Sequence, residues 1–246
     1  MRIGILVTGY VPEHMATEHG EYPEQFRDLY RAVDPSVEVE AVDILAGEMP
    51  TSPDACDAWV VTGSKHGVYD DLPWIEPLKN FLREARSAGV PLIGICFGHQ
   101  LMAEAFGGRA EKSNKGWGCG VHDYSVEHRP AWLGENPQSF AMHAMHQDQV
   151  TAIPEDATRL AGSEFCEFAM LSYGNAEAPD AISIQPHPEF AEGYARGLVE
   201  LRKGELIPDA TADKALSTFG SPVDGEAFAR WSLAYARLMD QRRKAA

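Results

Sequence analysis

One cysteine of this chain stands where a strand is expected to turn sharply into a helix. Cys96 lies between Gly94 and Gly98, after an apolar, strand-like run at residues 91–95 and before an amphipathic helical pattern. Glycines let the strand and the helix approach closely, and the tight turn presents the side chain at its centre. A helix N-terminus also stabilises a thiolate. The segment predicts a nucleophilic cysteine; the alternative is a structural cysteine between two incidental glycines.

A histidine and a glutamate far downstream could complete this chemistry. His187 and Glu189 follow the strand-like run at residues 181–184, and Pro188 stiffens the chain between them. In an extended chain, residues two apart project to the same side, so the carboxylate can hold the imidazole. Taken alone, this tripeptide is better explained as a strand end with a surface histidine. Together with Cys96 it predicts a triad of nucleophile, base and orienting group.

The elements that must position these residues form an α/β pattern. Strands are predicted at residues 3–7, 37–42, 58–61 and 91–95, and amphipathic helices lie near 23–33 and 74–88. Such alternation is typical of a parallel sheet with right-handed crossovers. After a helix that begins near residue 98, the shorter strand candidates predict an antiparallel section inserted before a last central strand. They lie at residues 116–126, 139–142, 158–161, 168–173 and 181–184.

Composition and charge exclude several classes of partner. The 246 residues include 21 Lys and Arg against 37 Asp and Glu, a formal net charge of −16. That field repels phosphate backbones and anionic lipid headgroups. The apolar runs are too short to span a bilayer, and the chain enters its first strand without the layout of a signal peptide. We predict a cytoplasmic protein without nucleic-acid or membrane partners.

Neither a metal site nor a cofactor is predicted. The cysteines at positions 56, 96, 119 and 166 include no C-x-x-C pair. His143 and His146 form an H-x-x-H pattern, but no third ligand stands out beside them. The sequence also contains no phosphate-binding P-loop.

The sequence resembles the class I glutamine amidotransferases of the Cys-His-Glu triad type. Their C-x-G-x-Q elbow is matched by Cys96, Gly98 and Gln100, and their H-P-E motif by residues 187–189. Further matches are the glycine loop at 62–64, the segment 113–118, and the run 146–150, which is similar to a segment in the glutaminase half of GMP synthases. Free-standing GMP-synthase-like members, including the γ-glutamyl peptidases, are similar also at residues 172–175.

The resemblance implies a flavodoxin-like fold, an open and mostly parallel sheet with flanking helices, plus a small antiparallel section and a C-terminal helical extension. We predict a catalytic domain at residues 1–204 and a helical extension at 205–246 packed on the same domain. The segment after the first strand holds His14, His19 and Tyr22 and is a candidate lid, because doubly wound folds place ligand loops there.

The resemblance also implies a reaction. Cys96 attacks the γ-carboxamide of glutamine, which gives a γ-glutamyl thioester and ammonia, and water then hydrolyses the thioester. His187 would protonate the departing nitrogen and later activate water, and Glu189 would fix its tautomer. Backbone N–H groups of Gly63 and Phe97 are the expected oxyanion donors.

Two further residues are implied to bind the substrate. By the family pattern Gln100 helps to hold the substrate amide, and the loop that contains Asp148 flanks the glutamate end. An alternative interpretation of Asp148 is a turn former.

Three functions remain open from the sequence. The first is a glutaminase or free-standing amidotransferase, to which a separate synthetase subunit would supply the ammonia acceptor. The second is a γ-glutamyl peptidase, hydrolase or transferase that acts on other γ-glutamyl compounds through the same thioester. The third is a non-enzymatic relative that binds a metabolite or a partner, against which the intact triad residues argue.

Overall fold

The computed structural model of the protein describes residues 1–134 and 137–245, so that residue 246, the last of the predicted extension, lies outside the described residues. The described part contains eleven strands: β1 (Arg2–Val7), β2 (Glu38–Asp43), β3 (Ala58–Val61), β4 (Leu92–Ile95), β5 (Arg109–Lys112), β6 (Gly118–Val126), β7 (Ser139–His146), β8 (Asp148–Ala152), β9 (Ala157–Gly162), β10 (Met170–Tyr173) and β11 (Ala181–Ile184). It also contains seven α-helices: α1 (Glu13–His19), α2 (Tyr22–Val33), α3 (Ile75–Ser87), α4 (Phe97–Ala105), α5 (Glu192–Arg202), α6 (Asp209–Leu216) and α7 (Gly225–Ala245).

Nine of the strands form one sheet in the order β2, β1, β3, β4, β11, β10, β9, β6, β7, and β5 pairs with β8 in a small separate sheet. The pairings from β2 to β11 are parallel, and those from β11 to β7 are antiparallel. The chain leaves the parallel half after β4, builds the antiparallel section and returns as β11 beside β4. The predicted α/β class, with an antiparallel section inserted before the last central strand, is confirmed.

The sheet is covered by helices on both faces. Ile3 and Ile5 of β1 belong to an apolar layer shared with α2, α5 and α7, whereas Leu6 belongs to a second layer shared with α3 and α4. Successive strand residues point to opposite faces, so nearly continuous apolar runs such as 58–61 fill both layers. The carboxyl ends of β3, β4 and β11 therefore meet at one edge between two fixed helical layers.

The C-terminal helix α7 contacts α2 and is fixed to the sheet by hydrogen bonds. The amide of Leu92 donates to the hydroxyl of Tyr235 at 3.1 Å, and that hydroxyl donates to the carbonyl of Asp180 at 2.9 Å. At its start, the amide of Ala141 donates to the carboxylate of Asp224 at 2.8 Å. These bonds join the last helix to three separate places in the sheet region.

Some elements were not predicted from the sequence patterns. These are α1, β5, β8, α5 and α6. Helix α1 buries only Met15, and α6 buries only two alanines, so neither carries a strong apolar stripe. Within residues 1–134 and 137–245, no helix combines the length and apolar character that a membrane-spanning segment needs.

Candidate active site

Cys96 occupies the corner between β4 and α4, in a backbone conformation that is unfavourable for an L-residue. Its φ is 52° and its ψ is −101°, and in the described part of the chain it alone among non-glycine residues has a positive φ. The glycines beside it permit the corner. A Cβ at Gly98 would lie 2.5 Å from the carbonyl oxygen of Val61, and one at Gly94 would lie 2.6 Å from the carbonyl oxygen of Gly98. The predicted strand-to-helix corner is therefore present.

His187 and Glu189 form a buried pair beside this cysteine. Nδ1 of His187 lies 2.8 Å from Oε1 of Glu189, and the His187 ring stacks on Phe190 with centroids 3.9 Å apart. The backbone of His187 is also fixed, because its amide donates to the carbonyl of His143 at 2.8 Å. Because Nδ1 faces the carboxylate, Nε2 is the ring nitrogen left to interact with Cys96, which lies beside His187 at Gly63.

The electrostatics of the pair favour a charged imidazole. Burial alone would lower the pKa of His187, but the carboxylate of Glu189 and the thiol of Cys96 outweigh burial and raise this pKa well above its ordinary value. Side chains of both pair members are almost fully excluded from solvent. A low-dielectric setting strengthens the attraction between imidazolium and its negative neighbours.

The predicted oxyanion donors lie on either side of the cysteine. A Cβ at Gly63 would lie 2.8 Å from Cε1 of His187 and 3.7 Å from Cβ of Cys96, so the Gly63 backbone borders both of these side chains. Phe97 is the first residue of α4, and its N–H has no acceptor within the helix. The loop of Gly63 is fixed from behind because the amide of Thr8 donates to Oγ1 of Thr62 at 3.0 Å.

Gln100 and Asp148 meet at the wall of the site. Nε2 of Gln100 donates to the carbonyl of Asp148 at 2.9 Å and to Oε1 of Gln185 at 3.1 Å. The carboxylate of Asp148 accepts a 2.8 Å hydrogen bond from the hydroxyl of Tyr69. Both protons of the Gln100 side-chain amide are thus donated to other groups of the protein. In this structure, Gln100 therefore helps to position the strand that carries Asp148.

One side of Cys96 opens into a cavity of about 310 Å³ that we name the charged cavity. The charged side chains that line it are those of Lys65, Asp70, Lys112, Asp148 and Arg202. Among the described residues, none of its three cations makes a salt bridge. The guanidinium of Arg202 instead lies 5.8 Å from the centre of the Trp117 ring. Unpaired cations beside carboxylates suit a small zwitterion.

A second cavity of about 550 Å³ also opens beside Cys96, and we name it the second cavity. The two cavities share Ser64, Lys65, His66, Met145 and Arg202 in addition to Cys96. The rest of the wall combines His187 with mostly aliphatic and aromatic residues: Tyr10, Val11, Pro12, Tyr22, Leu45, Phe190, Tyr194 and Leu198. Of the three residues named in the candidate lid, Tyr22 lines the cavity, His19 packs on Tyr194 at 5.6 Å, and His14 is exposed.

Several residues of these walls were missed from the sequence. Lys65 directly follows the glycine loop at 62–64, so its position next to the site could have been inferred from that motif. Arg202 ends α5 and Tyr194 lies inside it, and only the return of that helix over the sheet brings them to Cys96. No local spacing signals such contacts.

The H-x-x-H histidines are held by the backbone. Nδ1 of His143 lies 3.0 Å from the carbonyl oxygen of Phe190, and Nδ1 of His146 lies 3.2 Å from that of Asp148. Burial lowers the pKa of His146 to about 3, which keeps this ring neutral. Over the described ranges, the structure brings together no group of three or more His, Cys, Asp or Glu side chains that could hold a metal ion.

Comparison with protein families gives a match over most of the chain. The model described as "Glutamine amidotransferase class-I" matches residues 27–198. The chain is 32% identical to γ-glutamyl peptidase 3 of Arabidopsis thaliana over 219 residues, which cover 85% of this chain and 81% of the relative. It is 38% identical to one subunit of the glutamine-hydrolysing GMP synthase of Archaeoglobus fulgidus over 119 residues, 46% of this chain and 63% of that relative.

Solved structures agree at the level of the fold. A glutamine amidotransferase from Thermotoga maritima superposes with a TM-score of 0.72 at 21% identity, covering 96% of this chain and 98% of the other. A glutamine amidotransferase from Methylobacillus flagellatus gives a TM-score of 0.72 at 20% identity, with 98% and 94% covered. The family resemblance inferred from the motifs is confirmed.

Proposed function

This chain belongs to the class I glutamine amidotransferase family, and from that premise we propose that it is a cysteine hydrolase that cleaves γ-glutamyl amide bonds, the simplest being the carboxamide of glutamine. The observation that carries the proposal is the contact between Cys96, at a strained strand-to-helix corner, and the buried pair of His187 and Glu189. That arrangement joins a nucleophile, a proton carrier and an orienting carboxylate.

The first half of the reaction makes the acyl enzyme. The thiolate of Cys96 attacks the γ-carbonyl carbon, and the negative oxygen that forms accepts hydrogen bonds from the amides of Gly63 and Phe97. One such donor contributes about 3 kcal/mol to the transition state. As the carbon–nitrogen bond breaks, His187 gives its proton to the departing nitrogen, so the products are a γ-glutamyl thioester and ammonia or an amine.

The second half restores the enzyme. His187, now neutral, takes a proton from water, and the resulting hydroxide attacks the thioester carbonyl. Collapse of this intermediate breaks the carbon–sulfur bond, releases glutamate and returns Cys96 to the thiolate. Glu189 keeps Nδ1 protonated in both halves, so that Nε2 exchanges the mobile proton.

The charged cavity suits the glutamyl half of the substrate. Lys65, Lys112 and Arg202 can bind the α-carboxylate, and Asp148 can bind the α-ammonium group. A site with fixed partners for both charges rejects acyl groups that lack them, because those partners would be left unpaired. We propose that this cavity gives the enzyme its preference for γ-glutamyl substrates.

A second candidate function is supply of ammonia to a separate synthetase protein. It is favoured by the similarity to the archaeal GMP synthase subunit, whose name denotes one part of a synthase built from more than one polypeptide. In that case glutamine would be the natural substrate, and hydrolysis by the free chain would increase when the synthetase is added.

We place the enzyme in the cytoplasm, where a reducing environment keeps thiols free. Cys96 is a free thiol in the structure, and so are Cys56, Cys119 and Cys166. Catalysis by a thiolate requires that Cys96 stays reduced.

The proposal is tested by hydrolysis and by trapping of the thioester. Purified wild type is incubated with glutamine and with γ-glutamyl-glycine, glutamate release is measured, and acid-quenched protein is analysed by mass spectrometry. We expect release of glutamate from at least one of these compounds, a glutamyl adduct on Cys96, and neither in Cys96→Ala. Cys56→Ala, the matched removal of a distant thiol, keeps both. Absence of turnover and adduct in the wild type would favour the non-enzymatic relative.

A further inference from the structure

The proposed reaction needs two separate segments of the chain to keep a fixed relative position. Cys96 stands at the start of helix α4, whereas His187 follows strand β11. The backbone links the two segments at the corner itself, where the amide of Cys96 donates to the carbonyl of Ile184 at 2.9 Å. A single bond does not set the direction in which a helix leaves its corner, so side-chain contacts must do so. This direction matters because the first turn of α4 presents the amide of Phe97, one of the expected oxyanion donors.

Polar side chains join the first turn of α4 to β11. Nδ1 of His99 lies 2.7 Å from Oγ of Ser183, and this oxygen lies 3.0 Å from the hydroxyl oxygen of Tyr173 in the neighbouring strand β10. The next residue of the helix makes a second link, because Nε2 of Gln100 donates to Oε1 of Gln185 at 3.1 Å. Two consecutive helix residues thus contact two residues of the segment that leads to the proposed base.

The contact between His99 and Ser183 lies in a place where polar groups are costly. Both residues are completely buried, and Leu171 and Ala181 of β10 and β11 belong to the apolar layer that the sheet shares with α3 and α4. Burial lowers the pKa of His99 to about 3, so its ring is neutral and can both donate and accept a hydrogen bond. An apolar residue would fill this space without the cost of burying polar atoms, but it would not fix a direction. A hydrogen bond fixes both distance and direction.

We propose that His99 is a positioning residue for the proposed reaction, and that it holds the first turn of α4 against β11 through its contact with Ser183. This inference rests on the proposed function and adds a residue to it that lines neither cavity. His99 acts through the groups that it places, which are the thiol of Cys96, the amide of Phe97 and the imidazole of His187. Loss of the contact lets the helix turn shift, which raises the barrier to acylation and leaves the charged cavity intact. Substitutions at His99 should therefore lower kcat and leave KM nearly unchanged.

Two substitutions at His99 separate positioning from packing. His99→Leu keeps about the volume of the ring but removes its polar atoms, whereas His99→Asn keeps a polar atom near the place of Nδ1 but fills less space. Glutamate release from glutamine and from γ-glutamyl-glycine is measured per folded protein. We expect kcat to fall by at least about tenfold in His99→Leu and by no more than about threefold in His99→Asn, with KM within about twofold of the wild type. In urea unfolding His99→Leu should be the more stable variant, because it leaves the smaller cavity. If kcat followed the order of stability, His99 would be a packing residue and the inference would be wrong.

The partner of His99 provides a second test. Ser183→Ala removes the other half of the contact and should lower kcat by at least about tenfold as well. Because both substitutions remove the same contact, the double variant of His99→Leu and Ser183→Ala should lie within about threefold of the poorer single variant. Losses that multiply would contradict the contact. The matched control is Ser232→Ala, which removes an equally buried hydroxyl that donates to the carbonyl of Ala229 in α7 at 3.1 Å, and it should keep kcat within about twofold.

The outcomes separate this inference from the proposed function. If the wild type releases glutamate in a Cys96-dependent manner and folded His99→Leu and Ser183→Ala keep its kcat, the positioning role is wrong and the hydrolase stands. If the wild type turns over neither compound and no thioester is trapped, the proposed function has failed and the inference with it.

Discussion

The backbone at Cys96 is strained. With φ at 52° and ψ at −101°, the Cβ of any L-residue is crowded, whereas glycine accepts this conformation. We therefore expect Cys96→Gly to be more stable than Cys96→Ala by about 1 kcal/mol in urea unfolding, and both to lack turnover.

Cys56 provides a control, because there the difference in stability between the glycine and alanine variants should have the opposite sign. Its φ is −126°, an ordinary extended conformation, so there the glycine variant should be the less stable one, by about 1 kcal/mol. If Cys96→Gly were also less stable than Cys96→Ala, the corner would not be strained, and presentation of the thiol would need another explanation.

We expect the charge on His187 to set the alkaline limit of the proposed activity. Burial opposes this charge, but Glu189 and Cys96 outweigh it and raise the pKa of the ring, so His187 keeps its proton through neutral pH. We expect kcat/KM to fall only in the alkaline range, where the ring can no longer protonate the departing nitrogen. In Glu189→Gln the counter-charge is gone, and the alkaline limb should move to lower pH by at least about one unit.

The same variant separates positioning from proton transfer. Glu189→Gln leaves an imidazole that still reaches the thiol, so kcat should fall by about 10²-fold, whereas His187→Ala should lower it by about 10⁴-fold. If Glu189 had only a structural role, its replacement would leave the pH profile unchanged. An unmoved alkaline limb, or equal losses in the two variants, would contradict the roles given to these residues.

The grouping of Cys96 with His187 and Glu189 could be predicted from the sequence because the spacing within each motif is local. Cys96 is defined by glycines two residues away on each side, and His187 and Glu189 by a separation of two in an extended segment. Arg202 and Tyr194 have no such signature, because they reach the site only when α5 returns over the sheet. Residues that belong to short motifs can be predicted from the sequence. Cavity walls that form only through tertiary contacts cannot.

At the scale of elements, the corner depends on close packing of α4 against β3. A Cβ at Gly98 would meet the Val61 carbonyl at 2.5 Å, and neither the strand nor the helix backbone can yield easily. Gly98→Ala should lower the free energy of unfolding by about 2–3 kcal/mol and move the Phe97 amide away from the oxyanion. We also expect kcat/KM to fall, by at least as much in free-energy terms as the loss of stability. Urea unfolding and kcat/KM are measured on the same preparation.

A glycine in an exposed helical turn is the control for Gly98. At Gly193, in α5, the nearest atom to an added Cβ is Cε1 of His19 at 3.3 Å. Gly193→Ala should therefore change stability by no more than about 1 kcal/mol, in the stabilising direction that helix propensity favours. A similar loss in both variants would indicate that the glycine itself, and not the contact with Val61, matters at position 98.

The parallel elements were predictable and the later ones less so, for a physical reason. The run 58–61 is buried on both faces and continuously apolar, and the run 181–184 is buried on both faces and apolar except at Ser183; the two runs coincide with β3 and β11. The strand predicted at 139–142 extends to His146, because histidines at 143 and 146 are buried but polar and hide its apolar pattern. Short β5 and β8 form a two-stranded sheet whose exposed residues show no periodic signal.

At the scale of the whole molecule, the acidic surface contrasts with the site. Carboxylates outnumber Lys and Arg by 37 to 21, yet three cations collect around the charged cavity beside Cys96. A cavity with low-dielectric walls focuses the field of the charges that line it, so a carboxylate-bearing substrate meets a local environment unlike the mean surface. We therefore expect the net charge to disfavour polyanionic macromolecules, and the lining of the cavity to determine which small molecules the protein binds.

The predicted extension at 205–246 should unfold together with the catalytic region, because α7 is tied to the sheet through Tyr235. In Tyr235→Phe, the amide of Leu92 and the carbonyl of Asp180 lose their shared partner in a buried place, which should lower the free energy of unfolding by about 2 kcal/mol. Loss of helical signal and loss of activity should occur at the same urea concentration in the wild type, and both should shift to the same lower concentration in the variant.

The control is Tyr10→Phe, which removes an exposed hydroxyl bonded to Asp43 and should change stability by no more than about 0.5 kcal/mol. Loss of helical signal before activity would instead mean that α7 is a separately unfolding appendage.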